Sequence, residues 1–163
     1  MKSLLKSFVY AFRGITYCIV HERNMRIHLC FTAYMFGFLT VHDFFEVSRT
    51  QFAVLFVVCA LVMALEAVNT AVEKAIDLET SEIKPLAKVA KDAAAGAVLI
   101  AAIGAVAAGI AILYQPEAFE AMFEYYKANI PVLAAFAVSL AASFAFIFAG
   151  PLKIREFFKK HVK

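Results

Sequence analysis

The sequence predicts an all-α integral membrane protein, with an amphipathic surface helix at the N-terminus followed by four transmembrane helices. Three observations carry that prediction. The 163 residues are 63% hydrophobic, with a mean hydropathy of +0.77, whereas a soluble domain would be about half apolar. Charged residues are missing from two long stretches, between Ala93 and Pro116 and between Ala128 and Leu152. Each can cross the roughly 30 Å hydrocarbon core, which needs about 20 residues of helix. Fourteen of the 16 Lys and Arg residues fall in three segments that such helices bring to one side.

The first 15 residues form the surface helix. At about 100° per residue, Leu4, Leu5, Phe8, Phe12 and Ile15 share one arc of about 100°, and Lys2, Lys6 and Arg13 lie opposite. That pattern fits a helix lying on the inner leaflet. It serves simple anchoring as well as contact with a lipid substrate. Lys6 and Arg13 interrupt any apolar run, so it is not a signal peptide.

The spans are expected at roughly residues 27–45, 50–72, 90–114 and 130–150. The first two runs, around LCFTAYMFGFLTV and QFAVLFVVCALVMA, are the shorter ones. Lys and Arg concentrate in the N-terminal segment, the 73–92 connection and the tail from Lys153. The other two connections hold only Arg49 and Lys127. Positive charge stays inside, so both termini and the 73–92 connection are expected in the cytoplasm, with the protein multi-pass in the inner (cytoplasmic) membrane. The outer segment YQPEAFEAMFEYYK is acidic and aromatic, which suits an interfacial belt. Small residues of the third span, Ala93, Gly96, Ala97, Gly104, Ala105 and Ala108, fit close helix approach. Cys18, Cys30 and Cys59 have no CxxC or Cys/His metal spacing and read as small packing residues. The basic residues are too dispersed for a nucleic-acid surface, and none is expected as a partner.

The second span ends in LEAVNTAVEKAID, residues 65–77. On a helix Glu66, Asn69, Glu73 and Asp77 fall within about 80° of arc. Glu66 and Glu73 are separated by about 10 Å of helix axis. The face therefore begins inside the inner leaflet and emerges into the cytoplasm. An ionisable residue there is expensive and usually has a task. A hydrogen bond from Glu66 to a neighbouring helix is the simpler alternative, and for Asp77 a solvated charge fits best.

Partners stand at the same depth. Glu22 and Arg26 immediately precede the first span. After the turn, Lys84, Lys88 and Lys91 share one helix face with Asp92 nearby, and Pro85 suits an early helical turn. Two carboxylates can share Mg²⁺ with phosphate. Lysines neutralise phosphate oxygens, and a deeper carboxylate can accept a hydroxyl proton. These are the parts of a phosphoryl-transfer site. Equally, Lys88 and Asp92 fit an i,i+4 surface pair, and the lysines a positive-inside signal. No P-loop or protein-kinase motif is present.

ERNMRIH at 22–28, EAVNTAVEKAID at 66–77 and KPLAKVAKDAAAGAV at 84–98 resemble the prokaryotic integral-membrane diacylglycerol kinase family, which includes undecaprenol kinases. The likeness covers roughly residues 4–114, and ERNMRIH and AKDAAAGAV look closer to the undecaprenol kinase branch. The resemblance implies a surface helix and three transmembrane helices per subunit, a homotrimer, and Mg²⁺ with ATP. It implies that Glu66 is the catalytic base, with Asn69 orienting groups beside it. Glu22 and Glu73 match the carboxylates that bind the metal of Mg-ATP. Glu82, Ile83, Lys84, Lys91 and Asp92 match nucleotide contacts. Tyr10, Ala11 and Phe12, together with Glu66, fall where the lipid approaches.

The family usually ends after its third span. Here residues 116–163 add an outer connection, a fourth span and a basic tail to a kinase-like unit at 1–115. The expected activity is ATP-dependent phosphorylation of the hydroxyl of a membrane lipid, undecaprenol or diacylglycerol, at the cytoplasmic face. The main alternative is a proton-coupled transporter component with Glu66 as its carrier carboxylate. A non-enzymatic membrane adaptor is a third class, but would not need carboxylates and lysines gathered at one depth.

Overall fold

A computed structural model describes residues 2–79 and 84–161. Among them all regular structure is helical: α1 (Lys2–His21), α2 (Arg23–Val41), α3 (Arg49–Glu79), α4 (Pro85–Leu113), α5 (Pro116–Ala128) and α6 (Ile130–His161). The sequence dictates several of the boundaries. Ser48 and Gln51 cap α3 reciprocally: the Ser48 N–H donates to Gln51 Oε1 at 2.8 Å and the Gln51 N–H to Ser48 Oγ at 3.3 Å. This S-x-x-Q box satisfies donors that the first turn leaves open. Pro85 and Pro116 stand at the starts of α4 and α5, where a missing N–H costs nothing. Gln115 closes the α4–α5 corner onto the connection before α3, giving and taking 3.0 Å hydrogen bonds with the Glu46 backbone.

The helices lie side by side in the order α4, α3, α2, α6. The α3–α4 hairpin is the largest contact, and α4 packs on no other helix among the described residues. α1 lies across the ends of α2, α3 and α6, and α5 packs on α6. Leu4, Leu5, Phe8, Phe12 and Ile15 are all exposed, as an apolar face directed at lipid requires. The interior is thin. Among the described residues Leu55 is the one large side chain that is fully buried, and Leu99, Ile100 and Ile103 of α4 are exposed. In a bilayer such exposure costs little, because lipid is as apolar as leucine.

α3, α4 and α6 are long and apolar enough to cross a membrane. α2 does not reach that mark, having 19 residues that include Arg23, Arg26, His28 and Tyr34. The boundaries also differ from expectation. α2 is displaced toward the N-terminus and ends at Val41 rather than 45. α3 continues to Glu79, about two turns past 72, because charged side chains leave a membrane without ending a helix. The acidic aromatic connection is itself a helix, α5, whose Tyr125 and Tyr126 pack against His42, Phe38 and Phe136. The small residues of α4 are not closely approached within the chain: a Cβ added at Gly96, Gly104 or Gly109 would meet nothing within 4 Å.

Candidate active site

The buried side of α3 is one seam of Leu55, Cys59, Val62, Glu66, Asn69 and Thr70, with the alternating spacing of three and four that keeps residues on one helix stripe. It is apolar as far as Val62 and polar from Glu66 onward. Glu66 is only 3% exposed, Asn69 8% and Thr70 4%, whereas the Asp77 side chain is 53% exposed. The polar face thus runs from the protein interior into solvent, as the spacing predicts.

The corner between α1 and α2 covers this face. Glu22 breaks the helix with extended backbone (φ −101°, ψ 121°), and its N–H closes α1 on the Cys18 carbonyl at 2.8 Å. That reversal brings Cys18, Glu22 and Asn24 against α3. The Asn24 side chain and the charges of Glu22 and Glu73 all act on the Glu66 carboxyl group. The Thr70 hydroxyl donates to the Glu66 carbonyl at 3.0 Å and neighbours the Cys18 thiol. Burial pushes the Cys18 thiol up from its ordinary value, with the negative charges of Glu22 and Glu66 adding to the effect. Asn69 Nδ2 donates to Glu73 Oε1 at 3.0 Å, while Asn69 Oδ1 is buried without a partner.

Of the expected residues, Glu22, Glu66, Asn69 and Glu73 therefore come together. Lys91 forms an ion pair with Asp77, so Asp77 is a paired rather than a plainly solvated charge. This pair fixes the start of α4 against the end of α3. Lys84 caps α4 and is exposed, as are Lys88 and Asp92. Lys88 and Asp92 form no ion pair among the described residues. Glu82 and Ile83 lie outside the described residues. Tyr10, Ala11 and Phe12 are exposed on α1, about 9 Å or more along the helix from the Cys18 end that touches the site. Asn24, Thr70 and Cys18 are additions. Asn24 sits two residues after Glu22 and Thr70 directly after Asn69, so adjacency to the motif was their only signal.

The donor types suit a hard divalent cation: carboxylates on one face together with an amide oxygen that lacks a partner. No three His, Cys, Asp or Glu side chains among the described residues close on one point. A cation here therefore needs further oxygens from a ligand, which is how Mg²⁺ is usually held beside phosphates.

Outward from Val62 the apolar half of the seam lines a groove of about 430 Å³ between α2, α3 and α4. Leu55, Cys59 and Val62 form its floor, with Ile27 and Met35 of α2 and Gly109 of α4 at its sides. It ends one turn short of Glu66.

The sequence model of the prokaryotic diacylglycerol kinase family matches residues 9–113. The chain is 44% identical over 115 residues to a diacylglycerol kinase of Synechocystis, covering 70% of this chain and 64% of that protein. It is 39% identical over 105 residues to an undecaprenol kinase of Bacillus subtilis, covering 63% of this chain and 81% of that protein. A Helicobacter pylori diacylglycerol kinase is 34% identical over 105 residues, covering 63% of this chain and 77% of that protein. No solved structure matches significantly. The matched span contains α2, α3 and α4 with every carboxylate of the buried cluster, and on that ground the chain belongs to the prokaryotic diacylglycerol kinase family of lipid kinases.

Proposed function

We propose that the protein transfers the γ-phosphoryl group of ATP to the hydroxyl of a membrane lipid, undecaprenol or diacylglycerol, at the cytoplasmic face of the inner membrane. The observation that carries this reading is the near-complete burial of Glu66 beside Asn24, Glu22 and Glu73. A carboxylate so placed suits a general base. The lipid oxygen attacks phosphorus, its proton passes to Glu66, and the bond to the ADP oxygen breaks. Asn24 holds the Glu66 carboxyl group toward the hydroxyl. Glu22 and Glu73 would hold Mg²⁺ together with the phosphates of ATP, and Asn69 orients Glu73. Bound there, the metal supplies charge neutralisation for the transferred group.

Lys84, Lys91 and Asp92, with Glu82 and Ile83, contact the nucleotide, and Lys91 exchanges Asp77 for phosphate when ATP binds. Tyr10, Ala11 and Phe12 meet the lipid at the leaflet surface, and the groove takes its apolar body. In this reading residues 1–115 are the kinase unit and 116–163 an addition, with both termini cytoplasmic and α2 as a fourth span. The outward side of α4 is where a homotrimer would form. The named relatives divide between two lipids, so the substrate is decided by offering both. Labelled Mg-ATP is given to the purified protein in detergent with undecaprenol or diacylglycerol. Label in either lipid, lost in Glu66→Gln, is the expected result. No label in either, from folded protein, overturns the reading. A transporter has less support, because the α3 seam outward of Glu66 is apolar.

A further inference from the structure

Arg26 is 6% exposed, and no carboxylate stands within ion-pair distance of it among the described residues. Its guanidinium is held by carbonyls instead. Nη1 donates to Ile19 O at 3.1 Å and Val20 O at 3.0 Å, and Nε donates to Ile147 O at 3.0 Å. The first two carbonyls belong to the last turn of α1, where helical partners run out and the dipole favours a cation. The third has a different origin. At that place Gly150 turns α6 with φ +74°, in the left-handed region that glycine alone adopts readily. A helical bond from residue 151 to the Ile147 carbonyl cannot form across that non-helical residue, and residue 151 is itself proline, which has no N–H to give. Arg26 therefore takes an acceptor that the Gly150–Pro151 kink leaves open. A Cβ at Gly150 would stand 3.5 Å from the guanidinium carbon.

These bonds close the segment from Ile19 to Arg26 against α6, and Glu22 and Asn24 lie inside that closed segment. α6 lies beyond the matched family region, and its helix packs on neither α3 nor α4. We propose that Arg26 is a positioning residue and the Gly150–Pro151 kink its counterpart: through the freed Ile147 carbonyl, the C-terminal helix braces the corner that holds Glu22 and Asn24 against Glu66. The role assigned to that corner rests on the kinase reading above, while the brace itself does not.

The first test is hydrogen exchange on the full chain in detergent, comparing the wild type with Arg26→Gln and the double variant Gly150→Ala/Pro151→Ala. The double variant favours an unbroken helix in which the N–H of residue 151 returns to Ile147, and it removes the acceptor without replacing Arg26. Peptides covering residues 18–27 should exchange about tenfold faster in both variants, with α4 unchanged. Unchanged exchange at the corner in the double variant overturns the brace, and this variant suffices if Arg26→Gln does not fold. The second readout separates positioning from general stability. The double variant Gly150→Ala/Pro151→Ala should raise the KM for Mg-ATP about fivefold and leave the KM for lipid unmoved. A lower kcat with both KM values unmoved, as from a smaller folded fraction, overturns the positioning role. Glu22→Gln with unaltered nucleotide KM would instead overturn the kinase assignment of the corner, and the exchange result would still decide the brace.

Discussion

The two halves of the α3 seam share a helix, a stripe and a degree of burial, yet differ in what they face. From Leu55 to Val62 the stripe meets an open apolar groove. From Glu66 to Thr70 it meets the α1–α2 corner, which supplies an amide, a thiol and a carboxylate. The difference teaches that depth alone does not make this site. An ionisable side chain is tolerated where a second backbone segment brings polar partners to it, and one turn farther out no such segment exists.

If the inner half performs the chemistry, Glu66→Gln should lower kcat by about 10²- to 10⁴-fold, the contribution of a positioned base. Binding of Mg-ATP should persist, as measured by retention of a fluorescent nucleotide. Next in size, Glu73→Gln should raise the Mg²⁺ concentration giving half-maximal rate by about tenfold or more, since even groups that only support a metal ligand matter that much. Asn69→Ala should produce a weaker shift of the same kind, by about fivefold, corresponding to one lost hydrogen bond of about 1 kcal/mol.

The outer half should answer to lipid alone. A Cβ added at Gly109, which lines the groove, meets no atom within 4 Å, so Gly109→Leu can start into groove space. The KM for lipid should rise about fourfold for each lipid methylene displaced, with the KM for nucleotide constant. A change in nucleotide KM instead would erase the distinction between the halves. The smallest effect concerns Cys18. Its raised thiol pKa leaves little thiolate at neutral pH, so alkylation should be slow at pH 7 and quicken as pH rises. Mass spectrometry of the modified peptide gives the rate, and fast labelling at pH 7 would mean the corner opens in solution.

The polar stripe was legible because a helix repeats every 3.6 residues whatever surrounds it. Glu66, Asn69, Glu73 and Asp77 could be placed on one face with no knowledge of their neighbours. What covers that face was not legible. Cys18 and Asn24 reach it from other helices, and nothing in their local spacing points inward. Arg26 could be placed at the depth of the polar face but not inside the protein, because its burial depends on a kink at Gly150 and Pro151, far along the chain. The helix ends were blurred for another reason. Apolar runs mark where a helix can meet lipid, whereas caps and prolines mark where it stops, and at Ser48 and Pro85 only the latter give the boundary. The acidic and aromatic residues of 116–127 describe an interface but also accommodate a helix, and Pro116 was the local sign that it forms.

The chain has six tyrosines and no tryptophan, and the fold sorts those tyrosines by place. Tyr34 reaches across to Ser139 and Ser143, and Tyr125 and Tyr126 sit in the cluster around His42. Tyr17 stacks on His21 with ring centroids 4.4 Å apart, beside Cys18 and the corner that covers Glu66. A single indole installed by Tyr17→Trp would therefore be the only one in the molecule. Its emission would follow the α1–α2 corner without background from the rest of the bundle, turning nucleotide arrival or loss of the α6 contact into an optical signal.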